Sequence, residues 1–252
     1  MSERGRRLCL LIDAGPSRFA VPATSVLEVA VPDVGGATLR GHHPLVDLSA
    51  LLGGPPEQRP GTAVLLDTSP TLALRVRSVR GVQDVANCPW LHVPRRIGPS
   101  VEPAVRGLID IAGELFLELD VEALAPGVRA PPQLKVVDPF GPPLSRALVF
   151  ETGGRLLGLP LASVAQVVGL GPRFCPLVTQ TAAAGVILHQ QQAWPVFSLP
   201  GLLGEPISSE PLVVLTEIGS DGVGFTAARA LGVVEGANLA GVATLELRRM
   251  FS

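Results

Sequence analysis

The residues best placed to do chemistry in this chain are two adjacent histidines, His42 and His43, in the stretch LRGHHPLVDLSALLGG. Such a pair could ligate a metal or relay a proton, but side chains of strand neighbours point to opposite faces, so only one ring enters a shared site. The other histidines are His92 and His189, and Cys88 stands four residues before His92 with no second pair to complete a zinc set. Turn polarity is the simpler account, and no metal is expected. Asp47 and Asp120 invite a reading as paired carboxylates, yet each precedes a short Leu-rich segment where an aspartate caps a helix. Ser25 and Ser163 read as matched helix-start residues, and neither sits in a G-x-S-x-G elbow. Glycine clusters such as LLGGPP and ETGGR lack the Lys-Ser or Lys-Thr of a phosphate loop. No catalytic residue is assigned, so the expectation is a non-enzyme without a cofactor.

Composition narrows the partners. The 252 residues suffice for one large domain or two ordinary ones, and 47% apolar content supplies their cores. With 20 basic residues against 22 acidic ones, and aromatics at 4%, neither a polyanion nor a stacking platform for bases is implied. Cys9, Cys88 and Cys175 are far apart and fit reduced thiols of a cytosolic chain, with Cys9 a small buried hydrophobe. No apolar stretch is long enough to span a bilayer, and the charged opening is not a signal peptide.

The elements that must position any site occur twice. LLIDAGPSRFAVPATSVLEV (Leu10 to Val29) overlays LVFETGGRLLGLPLASVAQV (Leu148 to Val167) without a gap at an offset of 138 residues. Each copy reads as strand, tight turn (Gly15-Pro16 or Gly153-Gly154), strand, proline and then a short helical turn carrying Val26 and Val29. A second pair, from Ala63 to Val82 and from Val213 to Val234, reads as a hairpin closed by Gly81 or Gly232, with Asp221-Gly222 as a turn signal. The opening stretch itself recurs from Gly107 and from Gly185 as hairpin, polar cap (Asp47, Asp120 or Ser198) and Leu-rich turn. Pro44 and Pro195 argue that the second strand of that hairpin begins at an edge, or is entered there, because proline cannot donate to a ladder. Residues 125 to 144 hold six prolines in twenty positions and read as a linker. The division expected is a first domain over 1–126, a linker over 127–143 and a degenerate second domain over 144–252, built as small antiparallel barrels.

The order strand, hairpin, VPATSVLEV, LRGHHPLVDL, hairpin, SVRGV and VRGLIDIAGELFLELDVEAL resembles the CheW-like domain, the adaptor fold of bacterial chemosensory systems. The resemblance covers about residues 6 to 125 once and about 144 to 250 again in degenerate form. It implies a mainly β fold of two tandem domains, each of two small five-stranded SH3-like barrels with short helices. It also implies a non-catalytic protein that binds a chemosensory histidine kinase's regulatory domain, a chemoreceptor or other CheW-like domains. By position, Arg40-Gly41 falls on the family's Arg-Gly pair, associated with receptor coupling, and Glu28 on its common acid. In the second copy these have become Gln190-Gln191 and Gln166. That copy also ends without a second version of the GLIDIAGELFLELDVEAL segment, which leaves its completeness open, with the linker or the other domain as sources of the missing strands.

Arg75, Arg77 and Arg80 alternate along LRVRSVR, either as a solvated strand face or as a positive stripe for an acidic partner, which Arg95 and Arg96 could extend. Trp194 reads as core or rim packing, or as the centre of an exposed apolar docking patch on a second copy that has shed its charges. The partner-binding candidates are therefore Arg40, Gly41, Glu28, Arg75, Arg77, Arg80 and Trp194. The function expected is a cytoplasmic scaffold, clustered with a chemosensory array or at a cell pole, without nucleic acid or membrane insertion. The alternative is a structural or polarity-type assembly protein that has lost kinase and receptor coupling. A small-ligand or nucleic-acid barrel comes third.

Overall fold

The computed structural model describes residues 6–33, 37–57, 61–94, 97, 101–124, 139–177, 182–207, 210–219 and 221–250. The chain forms two compact units: 1–132 with 172–180 and 188–193, and 133–171 with 181–187 and 194–252. The linker expected over 127–143 lies outside the described residues except at 139–143.

In the first unit, Leu8–Ala14 (β1) and Ser17–Pro22 (β2) form a hairpin across Gly15, whose φ of 56° suits glycine. The remaining strands are Val26–Ala30 (β3), Thr38–Leu39 (β4), His43–Asp47 (β5), Thr62–Leu66 (β6), Leu72–Val76 (β7), Ser78–Asp84 (β8), Trp90–Leu91 (β9), Val105–Ile111 (β10) and Glu114–Leu119 (β11), with a one-turn helix at Leu48–Leu51 (α1). Two sheets result, in the orders β8-β1-β2-β11-β10-β9 and β3-β6-β7-β5-β4. Both follow one plan: an antiparallel strand flanks one arm of a hairpin and a parallel strand flanks the other, β11 beside β2 and β5 beside β7. The likeness between the Gly107 stretch and LRGHHPLVDL has this physical meaning, since each supplies a hairpin whose second strand runs parallel to its neighbour. One sheet packs Cys9, Leu11, Ala20, Ile109, Ile111 and Phe116 into a core, and the other packs Leu39, Ala63, Leu65 and Ala73. Within this unit the Arg18 guanidinium donates to the carbonyl of Pro172 at 3.1 Å, and the Ser17 hydroxyl donates to that of Pro176 at 2.7 Å.

The second copy repeats the plan at Arg146–Thr152 (β12), Arg155–Pro160 (β13), Val164–Gly169 (β14), Phe174–Pro176 (β15), Ala183–His189 (β16), Gln192–Phe197 (β17), the helix Leu199–Leu202 (α2), Leu212–Ile218 (β18), Asp221–Ala227 (β19), Arg229–Glu235 (β20), Ala243–Thr244 (β21) and the helix Leu247–Met250 (α3). The sheets run β20-β12-β13-β21 and β14-β18-β19-β17-β16-β15. Even the irregularities recur. The bulges between Leu11 and Ile12 and between Val26 and Glu28 reappear between Val149 and Phe150 and between Val164 and Gln166. Repetition of bulges in register is what a duplicated sequence produces, because a bulge re-aims side chains and is specified locally.

The missing segment is replaced in part. Ala243 and Thr244 lie parallel to Leu157 and Gly158, in the place that Leu117 and Glu118 take beside Phe19 and Ala20. The described end of the linker then acts as the start of the absent β10. Phe140 bridges Leu245, and the Glu246 N–H donates to Pro139 O at 2.8 Å, as the Asp120 N–H does to Ala104 O at 2.9 Å. Among the described residues this sheet has four strands where its counterpart has six.

Four local expectations are corrected. After Pro22 a single 3-10 turn, Ala23–Ser25, gives way to strand β3, so Val26 and Val29 lie on a strand and Ser25 ends its turn, as Ser163 ends Leu161–Ser163. β-branched residues favour that outcome. Asp221 and Gly222 are not the turn: they open β19 opposite Ile218 and Glu217, and Gly222 is small because the Trp194 ring lies where its Cβ would stand. Asp47 and Ser198 cap their helices through the Ala50 and Gly201 N–H groups, but the Asp120 carboxylate instead pairs with Arg106 at 3.0 Å. Pro44 and Pro195 sit in strands inside their sheets; Pro44 precedes the stretch Leu45–Asp47 that bonds the parallel neighbour β7, and Pro195 precedes Val196, so each is placed before the ladder needs an N–H there.

Candidate functional site

The Arg40-Gly41 pair forms the tip of the β4–β5 hairpin. Arg40 has φ 54° and Gly41 φ 72°, a left-handed pair that costs Arg40 strain and Gly41 none. The corresponding Gln190 and Gln191 hold φ of 47° and 63°, so the glutamines occupy the same turn in the second copy. What holds the first turn is Asp33. Its Oδ1 accepts from the Arg40 N–H at 3.1 Å, and its Oδ2 accepts from the Gly41 N–H at 2.7 Å and the Thr38 hydroxyl at 2.9 Å. The Gly41 N–H, then the Thr38 hydroxyl, hold the Asp33 carboxyl below the usual aspartate value; partial desolvation opposes them, and the Arg40 N–H and the His42 charge assist. Asp33 was not among the residues singled out from sequence, because a lone aspartate before Val-Gly-Gly carries no spacing signal.

The turn brings two candidates together. Glu28, at the bulge of β3, accepts from the Arg40 guanidinium at 2.6 Å, while the Arg40 side chain remains 62% exposed. Leu27 and Val29 on the same edge strand, and Val31 just past its end, are exposed at 56%, 43% and 84%. Large apolar groups in such a row make a surface suited to a protein partner, on the face of the strand opposite Glu28. In the second copy the same places are Ala165, Val167 and Gly169, so the row has shrunk along with the charges.

The three arginines of LRVRSVR do not form a stripe. The chain leaves β7 at Val76 and enters the other sheet at Ser78, which separates Arg75 from Arg80. Arg77 pairs with Glu57 at 3.2 Å. Arg80 bridges Asp13 and Glu114, both at 2.9 Å, and stacks 5.5 Å from the Phe116 ring centre. Arg75 is half-buried and its Nε has no hydrogen-bond partner. Arg95 and Arg96 lie outside the described residues.

Trp194 is 7% exposed, so the exposed-tryptophan patch is overturned and the core reading stands. The exposed tryptophan is Trp90, at 40%, whose ring lies over Gly107 and whose Nε1 donates to the buried Glu118 at 2.8 Å. His42 and His43 do not diverge as strand neighbours would. His42 belongs to the turn, and the ring centres are 4.4 Å apart. Among the described residues no group of three or more His, Cys, Asp or Glu side chains could hold a metal ion. Cys9 is buried as expected, and burial first, then the Glu118 charge, push its thiol up to about 11.

The CheW-like domain profile matches residues 8–128 and again 146–238, the same two copies traced by the sheets. The chain belongs to the CheW-like domain family. Members of this family are non-catalytic chemotaxis scaffolds, and this chain carries the domain in tandem. No curated protein matches it. Among solved structures, the scaffolding protein TtCheW from Thermoanaerobacter tengcongensis is 16% identical over 44% of this chain and 90% of its own, with a TM-score of 0.37, a likeness too low to carry weight. Among the described residues no helix is long and apolar enough to cross a membrane.

Proposed function

We propose that this chain is a cytoplasmic, non-catalytic adaptor of a chemosensory system, coupling a histidine kinase's regulatory domain or a chemoreceptor to another protein through the Arg40 face of its first copy. One observation carries the reading. The Arg40 guanidinium is fixed by Glu28 and by a turn clasped on Asp33, yet keeps most of its surface open, and the strand that carries Glu28 exposes Leu27 and Val29 on its other face. A charge held in place and left open is the arrangement that gives partner selectivity rather than raw affinity. Gly41 contributes the backbone that lets the turn form, and half-buried Arg75 lies on β7, the parallel neighbour of β5. The second copy, with Gln166 and Gln190-Gln191 at the matching positions, binds a different partner or serves as a spacer.

The test is affinity capture of the full chain from its own cells, with an Arg40→Glu variant alongside and quantitative mass spectrometry as the readout. A chemosensory kinase or receptor recovered by the wild type and lost from the variant is the expected result. A different set of proteins, held equally by both forms, would instead favour the structural or polarity-type assembly role.

A further inference from the structure

Within the first unit, which includes residues 172–180, three carbonyls at alternate positions are taken by donors on β2 and β11. The Arg18 guanidinium donates to Pro172 O at 3.1 Å and to Phe174 O, the Ser17 hydroxyl donates to Pro176 O at 2.7 Å, and the Leu115 N–H donates to Pro172 O at 3.3 Å. Pro172 and Pro176 have no N–H, and in a strand a residue's N–H would point the same way as its C=O. That edge of the segment therefore offers acceptors and at most the one N–H of Phe174, and the surface answers with donors. Between them Cys175 is fully buried, its sulfur 3.8 Å from the Arg18 carbonyl oxygen.

Arg18 is built into this surface. Its guanidinium also donates to Glu114 at 2.8 Å, and Glu114 holds Arg80, which pairs with Asp13 at 2.9 Å. The Arg18 and Arg80 guanidinium groups lie 5.9 and 5.5 Å from the Phe116 ring centre, and the Arg18 side chain is only 13% exposed. A guanidinium fixed in this way presents its remaining N–H groups as a preset fork. At the offset of 138 residues the second copy has Arg155 and Leu156 in place of Ser17 and Arg18, and Leu156 is 43% exposed, so the matching hairpin does not carry the pair.

We propose that the first copy carries a docking site for an extended peptide edge lined with carbonyls, built from Ser17, Arg18 and Leu115, and that the chain's own Pro172–Pro176 fills it with Arg18 as the latch. A competing segment of the same kind enters only when the chain's own leaves. The site uses none of the residues of the Arg40 face, so it stands or falls independently of the adaptor reading.

The experiment follows the labelling of Cys175 in the folded full chain by a thiol reagent at about pH 8, with mass spectrometry of digested peptides locating each label. Wild type, Arg18→Leu and Arg18→Lys are compared, because lysine keeps the charge but lacks the fork that reaches two carbonyls and Glu114 together. Support is labelling of Cys175 that quickens about thirtyfold in both variants, the worth of one hydrogen bond to a charged donor, while Cys9 stays protected. A synthetic peptide spanning Gly171 to Leu177 with Cys175→Ser, at about 5 mM to rival the effective concentration of a tethered segment, should quicken the labelling of Cys175 about twofold or more in wild type and leave Arg18→Leu unmoved. Labelling of Cys175 unchanged in Arg18→Leu overturns the latch, as does Cys9 quickening together with Cys175, which would make Arg18 a support of the whole fold. Arg18→Lys behaving as wild type overturns the fork. A peptide without effect on wild type, or with the same effect on Arg18→Leu, overturns the docking site.

Discussion

Two glycines should differ sharply in what an added methyl costs, because the tryptophans above them differ in freedom to move. At Gly222 an alanine Cβ would stand 2.1 Å from Trp194 Cε2 and 2.2 Å from Cδ2, and at Gly107 it would stand 2.3 Å from Trp90 Cε2. Carbon contacts need about 3.5 Å, so each ring must retreat by more than an ångström. Trp194 is 7% exposed, so its ring has little room to retreat. Gly222→Ala therefore forces overpacking and partial expulsion of the ring, together about 3 kcal/mol. Trp90 is 40% exposed and swings outward, at the expense of its bond to Glu118, which keeps Arg7 as a partner. A hydrogen bond to a charged group, partly replaced by water, puts Gly107→Ala at about 1 kcal/mol. The assay is urea unfolding followed by fluorescence, with Trp90→Phe or Trp194→Phe backgrounds isolating the single tryptophan of each copy. Gly222→Ala costing no more than Gly107→Ala, or leaving the Trp194 emission unchanged, would refute the reasoning.

Glu210 is buried and accepts from the Thr152 hydroxyl at 2.8 Å and the Gly153 N–H at 2.9 Å, so Glu210→Ala should destabilise by about 2 kcal/mol in a urea melt; a loss under about 0.5 kcal/mol would count against a role in holding the hairpin. The Asp33 clasp should persist above the ordinary aspartate value of 3.8 and be lost only as pH falls through its depressed folded value. The Gly41 amide resonance reports this directly, and a midpoint above 3.8 would contradict the clasp. Of the three cysteines, Cys88 is partly exposed, while burial raises the thiols of Cys9 and Cys175. A thiol reagent at pH 8 should thus modify one sulfur quickly in the folded chain, and rapid modification of Cys9 would contradict its burial.

Gly-Pro and Gly-Gly turns, the overlay of Leu10–Val29 on Leu148–Val167, and the caps at Asp47 and Ser198 were legible in the chain alone. Each depends on a few neighbouring residues, whose backbone preferences act whatever surrounds them. The family and its two copies followed from the order of those signals. Candidates taken from side-chain type fared differently. LRVRSVR looks continuous, but the chain changes sheet between Val76 and Ser78, and the acids that pair with Arg77 and Arg80 come from Asp13, Glu57 and Glu114.

Asp221-Gly222 carried the signature of a turn, yet its glycine answers to Trp194, 28 positions earlier. The sequence by itself thus determined the repeating plan of strands and the family, because local propensity and periodicity act over short spans. Only the tertiary structure decided which charges stay open, which tryptophan is exposed, and how Pro139 to Gly141 and Ala243 to Leu245 jointly stand in for absent strands. Those outcomes turn on contacts between residues tens to a hundred positions apart, whose partners local propensity does not name.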